Sequence, residues 1–296
     1  MKIEIDVNSF NGFPITENMP KGDMPGDKVL IGEDHINKAN TIFKLLAKKL
    51  EEYDDKKIVL SVFGGSGVGK SEIASLLAHY FTCANHKAYV ISGDNYPYRI
   101  PLYNDAERMA IFRSNGLKGL LANNAYSKEV QAVLDDLWVK ETDSDPKMAE
   151  EYPWLKFYQE AGRKALAGYL GTPNEQDFVQ INGIITDFKK GNEKIWLKRM
   201  GRSEEERFYD CIDFSDIDIL IIEWTHGGNY ALNGIDVPIM LNSTVEETRE
   251  HRRLRARDGK VDSAFTTMVL EIEQALLESQ KDHAKIIIAK NGEVIK

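Results

Sequence analysis

Cysteine is nearly missing from this chain: Cys83 and Cys211 are the only thiols in 296 residues. Two isolated cysteines make neither a disulfide framework nor a C-x-x-C metal spacing, and each reads as a small buried apolar residue. An excess of positive charge is missing too, since 38 Lys and Arg stand against 47 Asp and Glu, a formal net charge of -9. That balance argues against nucleic acid or an anionic membrane as a partner, so a small anionic ligand has to be held by local features. No apolar run approaches the length of a membrane span, and the opening MKIEIDVNSF alternates polar and apolar residues where a signal peptide would run apolar. A cytoplasmic protein is expected, and homo-oligomerisation stays open. Internal repeats and low-complexity blocks are also lacking.

Short apolar runs alternate with helical segments from Lys57 onward. They are KIVLSVF (57–63), KAYVIS (87–92), IDILIIE (217–223), VPIMLN (237–242) and AKIIIAK (284–290). Continuous Ile, Val and Leu suit strands buried on both faces, and the intervening helices imply crossover connections, hence an α/β fold around a parallel sheet. Residues 1–56 read as a small N-terminal appendage, with short strands at 2–7 and 28–32. A Gly/Pro/Asn-rich connection lies between them. A helix capped by Asp34 then carries Ile36, Ala39, Phe43, Leu46 and Leu50 on one face. Between the second and third runs, helical stripes recur at Val130, Val133, Leu134, Leu137 and Trp138, and at Leu155, Tyr158, Leu166, Tyr169 and Leu170. A third, Phe178, Ile181, Ile185 and Phe188, ends at Gly191. A helical insert over about 105–170 is expected inside the domain that spans 57–296.

The stretch VFGGSGVGKSEIASLL (62–77) is the most informative. Gly64, Gly65, Ser66, Gly67, Val68, Gly69, Lys70 and Ser71 satisfy G-x-x-x-x-G-K-[ST], between a strand pattern and a helix pattern. Glycines let successive N–H groups turn inward around an anion, and the following helix, whose first turn includes Glu72, adds its positive end. Lys70 is placed to reach the β and γ phosphates of a nucleotide, and the Ser71 hydroxyl to ligate Mg²⁺.

Three further features bear on what becomes of the γ-phosphate. ISGDNYPYR puts Asp94 just past a strand's carboxyl end, where open α/β sheets bind ligands and where a carboxylate can take a hydroxyl proton. Gly-Asp-Asn is equally ordinary turn chemistry. IDILIIE ends in Glu223, a placement suited to organising Mg²⁺ or its water shell, and also met in strand-end surface carboxylates. STVEETREHRRLRARDGK crowds Arg249, Arg252, Arg253, Arg255 and Arg257 into an acidic protein. A lid over about 249–262 that closes on polyphosphate is the favoured reading over a solvated basic face.

In this order the segments resemble the uridine kinase, phosphoribulokinase and pantothenate kinase group of P-loop kinases. The resemblance runs over most of 57–296 outside the insert. It rests on GGSGVGKS, Asp94-Asn95-Tyr96, TPNEQDF with its helix and KKGNEKI, KRMGRSEEE, IIE, and the Arg-rich segment followed by AKIIIAKNGE. It implies Asp94 as catalytic base, and Ser71, Asp94 and Glu223 as the Mg²⁺ set, directly or through water. Arg253 and Arg257 match lid arginines, Tyr96, Asp177 and Arg202 fall in acceptor-contacting segments, and AKNGE lies near the adenine. Departures at Pro97, at Trp224 where the group usually has glycine, and in the length of the Arg-rich segment fall mainly on the acceptor side.

The expected activity is transfer of the γ-phosphoryl group of ATP, with Mg²⁺, to a hydroxyl of a sugar, nucleoside or related small metabolite. Tyr96, Tyr98, Arg99, Tyr103 and Arg202 are the candidate acceptor contacts between the sheet edge and the insert. An adenylylsulfate-kinase-like enzyme is an alternative acceptor reading. A regulatory nucleotide switch or ATPase is the rival from another class, opposed by the lack of an [NT]KxD motif.

Overall fold

A computed structural model describes residues 6–16, 19–26, 29–255 and 263–296. Its framework is a five-stranded parallel sheet. The strands are β1 (Ile58–Gly64), β2 (Ala88–Ser92), β5 (Ile219–Glu223), β6 (Val237–Leu241) and β7 (Ile286–Ile288), in the order β2-β5-β1-β6-β7. Every residue of β1, β5, β6 and β7 is buried, which is why their sequences are continuous rather than alternating apolar runs. Side chains still alternate between faces: Ile219 and Ile221 join one core, Leu220 and Ile222 the other.

The first face is covered by α1 (Glu33–Leu50) and α2 (Lys70–Cys83), the second by α7 (Phe178–Lys189) and the antiparallel ribbon β3 (Lys194–Met200) and β4 (Arg207–Asp213). A third core joins α3 (Pro101–Ala122), α4 (Lys128–Lys140), α5 (Met148–Glu151) and α6 (Leu155–Ala167) to α9 (Ala264–Ser279). Here α3 and α6 cross in close contact. A Cβ on Gly116 would stand 2.5 Å from Tyr158, and one on Gly119 2.5 Å from Ala161. Residues 249–255 form α8 (Arg249–Arg255). No helix among the described residues is long and apolar enough to cross a membrane.

The N-terminal region differs from expectation. Residues 6–7 and 29–32 form no strand, and residues 2–5 and 28 lie outside the described residues. Helix α1 begins one residue before Asp34. Gly32 is its N-cap in extended geometry, and the Gly32 amide donates to His35 Nδ1 at 3.1 Å. Its apolar face is not peripheral: Ala39, Phe43, Leu46 and Leu50 share the core of β1 and α2. Ahead of it, Phe10 and Phe13 pack on Phe43 and Tyr80 with ring centroids 5.3–6.3 Å apart. Cys83 and Cys211, expected buried, are both exposed: one ends α2 and the other stands on the ribbon strand β4, both at the protein surface.

If α1 is integral to the sheet core, Phe43→Ala, at a fully buried position, should lower stability by about 3–5 kcal/mol, read as a fall in the urea midpoint. A loss below about 1 kcal/mol would mean that α1 docks on a core complete without it.

Candidate active site

The chain reverses direction at β1: the connection to β2 runs to one edge of the sheet, and β6 and β7 lie on the other side. Ligands of open α/β sheets bind at the carboxyl ends of strands beside such a switch point. The glycine-rich loop sits there. Gly64, Gly67 and Gly69 have φ of 152°, 77° and 96°, values that L side chains rarely adopt. Gly69 is the left-handed N-cap of α2, so the first turn of that helix, Lys70, Ser71 and Glu72, directs its amide ends toward the loop. Lys70 is 9% exposed, and its Nζ donates to the Gly65 carbonyl oxygen at 3.1 Å, spanning the loop. Gly65, Ser66 and Val68 complete the turn, with the Val68 amide donating to Gly65 at 3.4 Å.

Strand register brings the two candidate carboxylates to the same edge. Glu223 pairs with Val62 on one side and with Ser92 on the other. It is 4% exposed, and Ser92 Oγ donates to Glu223 Oε2 at 3.4 Å. Ser92 is followed by the helical turn Gly93–Asn95, on which Asp94 is exposed. Trp224, in the place the resemblance gives to glycine, closes on this turn: a Cβ on Gly93 would lie 2.0 Å from the Trp224 ring. Here Gly93 and Trp224 are sterically matched. Among the described residues no group of three or more His, Cys, Asp or Glu could hold a metal by itself. The local donor set is a hydroxyl and two carboxylates, all hard oxygens. It fits Mg²⁺, which takes one or two carboxylates and completes its shell with phosphate and water.

Beside the loop lies a charged cluster that sequence reasoning did not find. Arg108 of α3 donates through Nε and faces through Nη2 the Glu175 carboxylate, each at 2.7 Å, and stands 4.0 Å from Glu273 of α9. Glu175 also accepts from Asn104 Nδ2 at 3.1 Å and from the Gly171 amide at 2.7 Å. Burial alone would raise its carboxyl, but Arg108 and the Gly171 amide outweigh that and hold it below the usual range. Glu273, farther from the guanidinium, is pushed by burial up to about 7, and it feels both Lys70 and Asp94. His226 nearby is 6% exposed, and burial brings it down to about 4, so it is neutral at physiological pH. No motif announces Arg108, Glu273 or His226, and Glu175 falls in the TPNEQDF segment without being singled out, because four regions far apart in sequence supply the cluster.

The expected acceptor residues take different positions. Tyr98 is 43% exposed at the site's rim, and Arg99 donates to Tyr169 Oη at 3.1 Å while facing Glu107. Tyr103 is exposed on α3. Asp177 caps α7, accepting from the Gln180 amide at 2.9 Å. Tyr96, expected to contact the acceptor, is fully buried in the second sheet core and supports the turn from beneath. Arg202 is exposed in the β3–β4 connection; the arginine that reaches the Asp94 turn region is Arg199.

Of the expected lid, Arg249, Arg252 and Arg253 lie on α8, with Arg253 exposed. Arg252 folds back, donating to the Val245 carbonyl oxygen at 2.9 Å and to Thr248 Oγ1, and its stem covers Gly67, where a Cβ would stand 2.9 Å away. Arg257 and the rest of the segment from 256 to 262 lie outside the described residues. On the outer side of the loop, Gly67 and Val68 line a cleft of about 250 Å³ with His35, Lys38 and Lys290, so the C-terminal AKNGE segment stands beside the loop.

Glu273 yields a prediction with a definite sign. Its folded carboxyl titrates near 7 against an ordinary 4.5, so the folded protein holds this proton more tightly than the unfolded chain. That contribution to stability is complete below about pH 4.5 and is lost as pH rises through about 7. Glu273→Gln should therefore raise the melting temperature at pH 8 relative to the parent and leave it little changed at pH 5. Equal shifts at both pH values would remove the titration from Glu273.

No protein-family model matches the chain. In sequence it is 35% identical over 259 residues to the bifunctional alpha-galactosidase/sucrose kinase AgaSK of Mediterraneibacter gnavus, an alignment covering 88% of this chain. The chain spans 23% of that relative's length. Among solved structures it is similar to D-glycerate 3-kinase from Cryptococcus neoformans, at 11% identity, TM-score 0.48, and coverage of 90% of this chain and 99% of that one. A possible uridine kinase from Bacillus stearothermophilus aligns at 14% identity and TM-score 0.43, covering 85% and 97% of the two chains. The chain is thus similar in sequence to a protein described as carrying a sucrose kinase, and its own strand order and glycine-rich loop form a parallel α/β sheet with a P-loop-like strand–loop–helix turn.

Proposed function

We propose that the chain is an ATP- and Mg²⁺-dependent phosphotransferase acting on a hydroxyl of a small carbohydrate, with sucrose as the first acceptor to test. The observation that carries this reading is the strand register that sets the glycine-rich loop with Lys70, the Glu223 carboxylate and the turn bearing the exposed Asp94 at one carboxyl edge of the sheet. The acceptor class is supported by the sequence similarity to AgaSK and by the chemistry of Asn104, Arg108, Glu175 and Tyr169. A linked set of amide, guanidinium, carboxylate and phenol groups suits an uncharged polyol.

The loop and the amino end of α2 grip the phosphates, and Lys70 carries positive charge toward the transferred group. Ser71, Glu223 and Asp94 are the residues that would hold Mg²⁺, which when bound neutralises phosphate charge. Asp94 orients the acceptor hydroxyl and takes its proton as the oxygen attacks phosphorus. Arg253 on α8, with Arg257 beyond the described residues, is the candidate charge-neutralising side chain of the lid. The protein's placement in the cytoplasm, where ATP is supplied, belongs to the same proposal.

A panel of sucrose, glucose, fructose, uridine, glycerate and adenylylsulfate, each with ATP and Mg²⁺, should show ADP release accelerated most by sucrose. Asp94→Asn should lower kcat by about 10²–10⁴-fold while leaving ADP affinity within a few-fold; Lys70→Ala should damage both. ATP hydrolysis indifferent to every acceptor would favour the switch or ATPase reading instead, and full activity of Asp94→Asn would remove the base assignment.

A further inference from the structure

Among the described residues ahead of α1, Asp23 carries a buried side-chain charge, and it is turned toward the site. Asp23 is 6% exposed. Its Oδ1 accepts from the Ser92 amide at 2.8 Å and from Asn95 Nδ2 at 2.9 Å. Ser92 and Asn95 flank the turn that presents Asp94, so one carboxylate oxygen ties its two ends together. The other oxygen accepts from Arg199 Nη1 at 2.7 Å and from Tyr89 Oη at 3.4 Å. Arg199, itself 6% exposed, is held in turn by Asp210 at 3.1 Å and by Tyr89 Oη at 3.0 Å. On the far side, Asn95 Oδ1 accepts from the Met200 amide at 2.9 Å. The turn is clamped between the N-terminal segment and β3.

Docking the segment does not require this charge. Phe10 and Phe13 already sit in the aromatic cluster, Ser75 donates to the Pro20 carbonyl oxygen, and His79 contacts that of Pro14 at 2.7 Å. A buried ion pair is weak evidence for stability, since apolar residues of similar volume commonly serve as well or better. Its value here lies in direction: four donors around one carboxylate admit one placement of the turn, and with it one placement of Asp94.

We propose that Asp23 is a positioning residue that preorganises the Asp94 turn, so that the segment preceding α1 belongs to the phosphoryl-transfer site. The proposal rests on the reading of Asp94 as acceptor base. Asp23 touches no reacting atom; it acts through Ser92 and Asn95. Misplacing a reacting group by an ångström is enough to lose a large factor in rate while ligand binding elsewhere persists.

The test compares Asp23→Asn with Ser75→Ala, which loosens the same segment away from the turn. Transfer to sucrose is read as kcat and KM, ADP affinity by calorimetry, and amide exchange over residues 92–96 by mass spectrometry. Asp23→Asn should lower kcat by at least about tenfold, with ADP affinity within twofold and faster exchange at 92–96. Ser75→Ala should match the parent in all three. Should Asp23→Asn not fold, Asp23→Glu makes the same comparison, because it keeps the charge but shifts the oxygen that bridges the turn. Unchanged kcat, a parallel loss of ADP affinity, or an equal loss in Ser75→Ala overturns the proposal. If the parent protein transfers to no acceptor, the reading of Asp94 as base falls. Exchange at 92–96 then decides the clamp alone, and unchanged exchange in Asp23→Asn overturns it.

Discussion

The hydrogen-bond register of β5 between β1 and β2 is the constraint on which the site depends. It sets Glu223 level with Val62 and with Ser92. Two residues after Val62 the chain enters the glycine loop; two residues after Ser92 it presents Asp94. In a parallel sheet all strands end on the same side, so the glycine loop, Asp94 and Glu223 emerge together with no contact between their side chains needed to assemble them. A slip of one residue in β5 would turn Glu223 to the other face and exchange the two cores that Ile219, Leu220, Ile221 and Ile222 now divide. The apolar runs that make the sheet stable are therefore also what aligns the chemistry.

Around that edge the protein concentrates buried charge, and the partners show how it is tolerated. Arg108 faces three carboxylates, Glu175 at 2.7 Å, Asp105 at 3.3 Å and Glu273 at 4.0 Å, so Glu175 is held below the usual carboxylate range while the more distant Glu273 is pushed by burial up to about 7. Arg199 is shared by Asp23 and Asp210. Burial pushes Asp23 up to about 6 against the pull of Arg199 and of the Ser92 amide, leaving it mostly charged at neutral pH. Each cluster joins elements distant in sequence: α3, the 171–177 connection and α9 in one, the N-terminal segment, β2 and the ribbon in the other. Directional contacts of this kind fix orientation, which apolar packing between the same elements would leave looser.

The parts legible in the sequence are those whose physics is local. Five apolar runs became five parallel strands because full burial leaves no room for polar alternation, and the Gly64–Ser71 motif became a strand–loop–helix turn because its positive φ angles admit few residues other than glycine. Asp94 and Glu223 were readable because a strand's end can be counted. The ribbon was not: KIWLKRM and RFYDCID carry charges and exposed aromatics on strands that cover the sheet rather than lie within it. Tyr96 looked like an acceptor contact because it follows Asp94, and only packing showed it facing the core. Of the N-terminal strands expected around a glycine-rich connection, the described residues 6–7 and 29–32 are irregular chain, and such chain docked on a core has no periodicity to betray it.

By itself, then, the sequence determined the class of fold, the phosphate loop and the acidic residues at two strand ends, because each follows from interactions within a few residues along the chain. Tertiary structure alone decided the pairing of Gly93 with Trp224, the Arg108 cluster beside Lys70, and the clamp that Asp23 places on the turn bearing Asp94. Those depend on contacts between segments separated by tens to hundreds of residues. Burial and hydrogen-bond geometry choose such partners only once the sheet has brought them to the same edge.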